Sequence, residues 1–423
     1  MVWGRIGMSY ITRAAEKTAV AISATFPILV VTGARQVGKS TMLQHLSSTD
    51  RTVVSLDDPN VRALARTDPA LFLQRYTPPL LIDEIQYAPQ LLPLIKLGAD
   101  RSDKPGQYWL TGSQSFHLMR EVSESLAGRA GILTLAGLSA AELDGVESVP
   151  FDPDPARLIQ RAKKVPKLTM PAIFQRIITG SLPRLWTQPT VDRATYYRSY
   201  VATYLQRDIR DLSQVGDETV FLTFLRAIAG RTARPLVMED IARDVGVSAP
   251  TIKRWLSILV SSGLVAVVAP YHNNALTRLT KLPLLHMLDT GLAAYLLGWT
   301  TSDTLERGAM SGQFFESYVF AQIYASYTNA GLEPPLFFYR DKQKREIDLL
   351  IAKDGAIHPI EIKKAASPGK SSLANFRALD PLTQASPGEE ALKTRVGSGG
   401  VVCLADDFLP LDANNSIIPV WTI

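Results

Sequence analysis

Gly33, Gly38, Lys39 and Ser40, in the stretch GARQVGKST, stand at the spacing G-x-x-x-x-G-K-[ST]. The chemistry that fits is phosphate binding. The glycines let the backbone curl so that successive N–H groups of Gly33, Ala34, Arg35, Gln36, Val37, Gly38, Lys39, Ser40 and Thr41 point inward at phosphate oxygens. Lys39 would reach the β- and γ-phosphates, and the Ser40 hydroxyl would ligate Mg²⁺. A second set lies in PPLLIDEIQ, where an apolar run ends in Asp83 and Glu84. The first acid would hold Mg²⁺ through water, and the second would polarise an attacking water as general base. In QYWLTGSQS, Ser113 or Gln114 would orient that water near the γ-phosphate. Arg129 is placed to reach a neighbouring subunit's γ-phosphate and stabilise developing charge, which implies a homo-oligomer.

These residues need elements to hold them. FPILVVT, TVVSL, PLLIDEI, QYWLTGS and GILTLAGL alternate with helical patterns, as in a parallel sheet whose central strands are buried on both faces. The loop at Gly33 would follow the strand Pro27–Thr32 and open a helix, whose N-terminus favours anions. Asp83 and Glu84 would stand at a strand's C-terminal edge, where open α/β sheets bind ligands.

Further along, MEDIARDVG reads as a short amphipathic helix ended by Gly246, and Ser248 caps a second helix, SAPTIKRWLSILVSSG. GLVAVVAPY and TRLTKLPLLHML follow as strands. Helix, tight turn, helix and a two-strand wing make a winged-helix pattern. Thr251, Lys253 and Arg254 would meet base edges or phosphates. Basic residues gather in this region (Arg226, Arg231, Arg234, Arg278 and Lys281 among them), which suits a nucleic-acid partner. Arg207, Asp208 and Arg210, in the preceding helical stretch, read chiefly as solvated charges, with an intersubunit ion network as the sharper option.

In the last third, REIDLLIA and IHPIEIKKA read as strands joined by the turn KDG. Alternation puts Glu361 and Lys363 on one face of a strand beside the strand carrying Asp348. ASPGKSSLANFRALDPLTQASPGEEALK reads as mobile loops.

Composition sets bounds. The chain has 423 residues, 46% hydrophobic and 20% charged, with a net charge of +5. That describes a globular protein of several domains. The single cysteine, Cys403, rules out an intrachain disulfide and suits a reducing cytosol. No signal-peptide core appears, and WLSILVSSGLVAVVAPY is too short and too interrupted to span a bilayer. The expectation is a cytoplasmic protein with no membrane partner.

GARQVGKST, SLDDPNVRALARTDPALFL, PLLIDEIQYAP, LTGSQSF and SLAGRAGILTLAGLSAAEL resemble the prokaryotic AAA-type ATPases with an RQxGK-type P-loop, over nearly the whole chain. The resemblance implies ATP binding and hydrolysis at Lys39, Ser40, Asp83 and Glu84, with Mg²⁺. The D…E-x-K trio resembles the PD-(D/E)XK nuclease fold, in which Asp348 and Glu361 would bind Mg²⁺. Lys363 would there activate water or stabilise the pentacovalent phosphate. Glu316, on the preceding helix, matches that fold's fourth ligand, whereas the Pro-Asp half of the motif is absent.

The expected fold class is α/β: a P-loop AAA-type parallel sheet domain (1–145), a helical linker region (146–220), a winged-helix domain (221–295) and an α+β nuclease-like C-terminal domain (296–423). The expected function is an Mg²⁺-dependent ATPase acting on nucleic acid. The alternative is an ATP-regulated binding, scaffold or transcription-regulatory protein with an inactive nuclease-like domain.

Overall fold

Each apolar run of the N-terminal part becomes a strand; the central runs at 28–32, 80–83 and 108–111 are buried on both faces, while the edge runs at 52–55 and 130–134 leave residues exposed. A computed structural model of the chain describes residues 10–102, 104–112, 125–205, 218–271, 282–341, 343–380 and 395–423. Among these, β1 (Ile28–Thr32), β2 (Thr52–Ser55), β3 (Leu80–Asp83), β4 (Tyr108–Thr111) and β5 (Ala130–Thr134) form one parallel sheet in the order β2-β3-β4-β1-β5. β1 is buried along its whole length. Its alternate residues serve two cores: Ile28 and Val30 pack with Leu80, Ile82 and Leu110, while Leu29 and Val31 face the other layer with Trp109 and Leu133. Connecting helices are started by local chemistry. Asp58 accepts from the Asn60 and Val61 N–H groups and Asp68 from that of Leu71, each followed by proline at the first helical position.

The joint VPFDPDPAR is packed rather than loose. The Phe151 N–H donates to Ser326 Oγ at 2.9 Å, and its carbonyl accepts from the Tyr327 hydroxyl at 2.7 Å. A helix begins within it, Pro155–Ala162, capped by Asp154.

In the middle, helices Met238–Val245 and Ala249–Ser261 flank Gly246, whose φ of 78° reverses the chain, and Ser248 caps the second helix through the Thr251 N–H. Trp255 buries that pair against helix Glu218–Ala229, with ring centroids 5.2 and 5.3 Å from Phe221 and Phe224. β7 (Val265–Val268) and β8 (Leu284–Met287) pair antiparallel, and β6 (Arg234–Pro235) adds a third strand on β8. Arg278 and Lys281, like Arg207, Asp208 and Arg210, lie outside the described residues.

The C-terminal part is a separate mixed sheet. β9 (Leu336–Arg340), β10 (Glu346–Lys353) and β11 (Ala356–Lys363) form an antiparallel meander. β13 (Gly399–Cys403) and β15 (Asn415–Pro419) extend it in parallel from β11. β12 (Arg395–Val396) also lies beside β11, and β14 (Leu409–Pro410) closes the edge on β15. The turn KDG is tight, with Asp354 at φ 52° and Gly355 at φ 72°. Part of the expected loop region is ordered instead. Lys370–Leu379 is a 3₁₀ helix because Ala378 and Leu379 are buried and the Asn375 amide donates to the Glu346 carbonyl at 2.8 Å.

The long helix Ser311–Asn329 packs against β5, β8 and β11. One apolar cluster runs from Leu29 and Val31 through Phe174 and Trp255 to Phe314, Ile360 and Trp421. The three parts share a continuous core. No helix among the described residues is long and apolar enough to cross a membrane.

Candidate functional site

The phosphate loop sits between β1 and helix Lys39–Leu46. Its shape depends on two glycines. At Gly33, with φ 131°, a Cβ would lie 2.2 Å from the Leu135 carbonyl oxygen. Gly38, at φ 95°, opens the helix in a left-handed conformation that costs other residues energy. Gln36 adopts φ 61°, and its side chain accepts a hydrogen bond from the Tyr196 hydroxyl in the middle part of the chain. The Lys39 ammonium is buried within the loop and donates to the carbonyls of Gly33 at 3.0 Å and Ala34 at 2.9 Å.

Strand order completes the site. β4 lies between β1 and β3, so its last residue, Thr111, stands between the phosphate loop and the acids. The Ser40 hydroxyl donates to Asp83 Oδ1 at 2.5 Å, and the Thr111 hydroxyl donates to the same oxygen. Thr111 Oγ1 also accepts from the Glu84 N–H at 3.3 Å, and the Ser55 hydroxyl approaches Asp83 Oδ2 at 3.4 Å. Glu84 follows in a left-handed conformation, φ 58°, and its carboxylate accepts from the Gln86 amide. Burial raises the Asp57 carboxyl above the usual range, with the charges of Glu84 and Asp83 adding to it. Paired oxygens from Ser40 and Asp83 suit a hard divalent cation.

Sequence reading missed Thr111, Ser55 and Asp57. Only SLDDP, with its acids directly after a strand, carried a usable signal. Ser113 and Gln114 lie outside the described residues. Arg129 precedes β5, and its carbonyl accepts from the N–H of Ile28 at the start of β1. It therefore stands at the sheet edge opposite its own phosphate loop, ion-paired with Asp100.

The second candidate cluster lies on β10 and β11, whose register pairs Leu349 with Ile360. Asp348 accepts from the Ile362 N–H at 2.8 Å. Lys363 Nζ lies 2.6 Å from Glu361 Oε1 and 3.8 Å from Asp348 Oδ2. The trio is thus brought together, with an ammonium between the acids. Glu361 is 3% exposed, and its Oε2 has no hydrogen-bond partner. Burial first, then the charge of Asp348, pushes its carboxyl up to about 7 against the pull of Lys363. Burial also raises Asp348, although Lys363 and the Ile362 N–H oppose it. Glu316 is raised well above the usual range by burial, then by Asp348 and Glu346. Among the described residues, however, no three His, Cys, Asp or Glu side chains converge to hold a metal ion. Glu316 lies near enough to feel the charges of Asp348, Glu361 and Lys363, and Lys363 is ion-paired with Glu361.

Residues 170–303 match a domain of unknown function, DUF8612, and residues 311–423 another, DUF4143. Uncharacterized proteins of Mycobacterium bovis and Mycobacterium tuberculosis are 29% identical over 360 residues, covering 84% of this chain and 74% of each relative. A Walker-type ATPase of Pyrococcus abyssi aligns at 15% identity with a TM-score of 0.41, over 68% of this chain and 96% of that one. Residues 25–144 match the family model of an AAA domain. With its five-stranded parallel sheet and phosphate loop, that segment has the architecture of an AAA-type P-loop domain.

Proposed function

We propose that the protein binds ATP with Mg²⁺, hydrolyses it, and uses the cycle to act on nucleic acid. The observation that carries the first part is the Ser40–Asp83 hydrogen bond beside a loop built to receive phosphates. Held through Ser40 and Asp83, Mg²⁺ would offset charge on the phosphoryl oxygens. Lys39 would exchange its carbonyl partners for the β- and γ-phosphates. Glu84 would take a proton from the attacking water as its oxygen bonds to the γ-phosphorus, and the bond to the β-phosphate oxygen breaks with its electron pair leaving on ADP. Arg129 is too far from its own loop to help, so it would serve a neighbour's site in a homo-oligomer.

Action on nucleic acid rests on the winged-helix-like pair 238–261 with its three-stranded sheet, and on the Asp348, Glu361 and Lys363 cluster. The test follows phosphate release and strand scission together, with Mg²⁺ or Mn²⁺, on linear, circular and single-stranded DNA and RNA. Lys39→Ala should abolish phosphate release, and Asp348→Ala should abolish scission.

A second reading is favoured by one observation, the Lys363 ammonium seated between Asp348 and Glu361. In that reading the C-terminal part is an inactive nuclease-like binding module under nucleotide control. Phosphate release without scission on every substrate would select it.

A further inference from the structure

Arg13 lies well before the phosphate loop and is 4% exposed. Its guanidinium makes four contacts. Nη1 donates to the Val37 carbonyl at 2.6 Å, Nη2 to the carbonyls of Ala136 at 2.7 Å and Gly137 at 3.4 Å, and Nε to Glu142 at 2.9 Å. We propose that Arg13 is a positioning residue of the nucleotide site, setting which way the Gly38 N–H points. This rests on the ATP-binding reading above.

The geometry of a peptide unit supplies the reason. A trans peptide is planar, with its C=O and the following N–H pointing in opposite directions. Pro78–Pro79 is the cis bond recorded among the described residues, so the Val37–Gly38 unit is trans. By drawing the Val37 oxygen towards itself, Arg13 turns the Gly38 N–H away, towards the hollow of the loop where phosphate oxygens would lie. The unit needs such a hold because Gly38, at φ 95°, imposes little steric preference of its own. A Cβ added at Gly38 would sit 3.4 Å from Arg13 Nη1, so guanidinium and loop are in direct contact.

The rest of the network fixes the arginine. Glu142 belongs to a capping box. Its Oε2 accepts from the Ser139 N–H at 2.7 Å, and the Ser139 hydroxyl accepts from the Glu142 N–H at 3.3 Å. Glu142 Oε1 also accepts from the Ala14 N–H at 2.7 Å. The carboxylate is therefore held independently of Arg13 and serves as its anchor. The same short helix receives Gln322 of the long C-terminal helix, whose amide oxygen accepts from the Ala140 N–H at 2.6 Å.

A purely structural role would be to staple the N-terminal segment, and variants separate the two. Arg13→Met alone would strand a buried carboxylate, so it is paired with Glu142→Gln. The double variant should unfold cooperatively and keep its far-ultraviolet circular dichroism, yet bind fluorescent ADP with Mg²⁺ about ten- to a hundredfold more weakly than wild type. Glu142→Gln alone keeps Arg13 and its Val37 bond but loosens the anchor, so its affinity should fall between those of wild type and the double variant. Arg13→Lys retains the charge but not the fork, and should lose most of the affinity even if the double variant does not fold. Unchanged affinity in Arg13→Lys or in the folded double variant would overturn the proposal, as would a loss in Glu142→Gln equal to that of the double variant. Wild type failing to bind nucleotide would instead overturn the ATP-binding reading, and this inference with it.

Discussion

The Ser40 hydroxyl, at the start of a helix, donates to the Asp83 carboxylate at 2.5 Å, although the two stand 43 residues apart with a strand between their own. That contact joins the phosphate loop to the acid-bearing strand and presents two oxygens side by side. Asp83→Asn keeps an oxygen that accepts from Ser40 and Thr111, so the unfolding midpoint should stay close to wild type. The charge that attracts Mg²⁺ is lost, and metal-dependent phosphate release should fall by about a hundredfold or more. Comparable release by the variant at saturating Mg²⁺ would remove Asp83 from the metal site.

Thr111 links both acids, donating to Asp83 and accepting from the Glu84 N–H. Thr111→Val preserves shape but leaves that N–H without its oxygen, at a cost of about 1–3 kcal/mol in stability. Glu84 should then be poorly held, lowering phosphate release about tenfold while nucleotide affinity is maintained. Titration of ADP alongside turnover checks the split.

Arg129 and the phosphate loop of its own chain are at opposite sheet edges. Arg129→Ala and Lys39→Ala should each be inactive alone. Mixing them should restore phosphate release, because some interfaces then combine an intact loop with an intact arginine. An exposed pair with Asp100 contributes little to folding, so Arg129→Ala should melt as wild type does. Arg129→Ala that retains full turnover would show that no finger is supplied from this position.

Glu361 carries a pH signature. Its folded carboxyl is raised to about 7 from an ordinary value of 4.5, so between those values the folded state holds more protons than the unfolded state. Stability from this group is present below the lower value and lost as pH rises to about 7. His286 slopes the other way, since burial beside Phe320 lowers it to about 3 and it must gain a proton on unfolding in acid. The measurement is therefore a difference. Wild type minus Glu361→Gln should show a melting-temperature gap that moves against wild type between pH 5 and 7, and a flat difference would place Glu361 in an ordinary environment.

Much of this molecule was legible in order. The glycine, lysine and serine spacing at 33–40, the cap at Ser248 after Gly246, and the KDG turn between β10 and β11 all depend on residues within a few positions of one another. Apolar runs announced the central strands β1, β3 and β4 because burial on both faces forbids alternation, whereas the edge strands β2 and β5 expose Val53 and Ile132. The packing of VPFDPDPAR and the 3₁₀ helix at Lys370–Leu379 escaped notice, because proline, glycine and serine describe a turn-rich backbone without saying what covers it.

By itself the sequence determined the local elements and the residues of the phosphate loop, since capping, turn chemistry and hydrophobic period act over one or two turns of chain. Tertiary structure decided the rest. Inserting β4 between β1 and β3 put Thr111 beside Asp83, folding back the N-terminal segment put Arg13 on Val37, and pairing β10 with β11 seated Lys363 between two acids. Those contacts join residues far apart in the chain, and their partners are chosen by which apolar faces pack together rather than by any neighbour in the sequence.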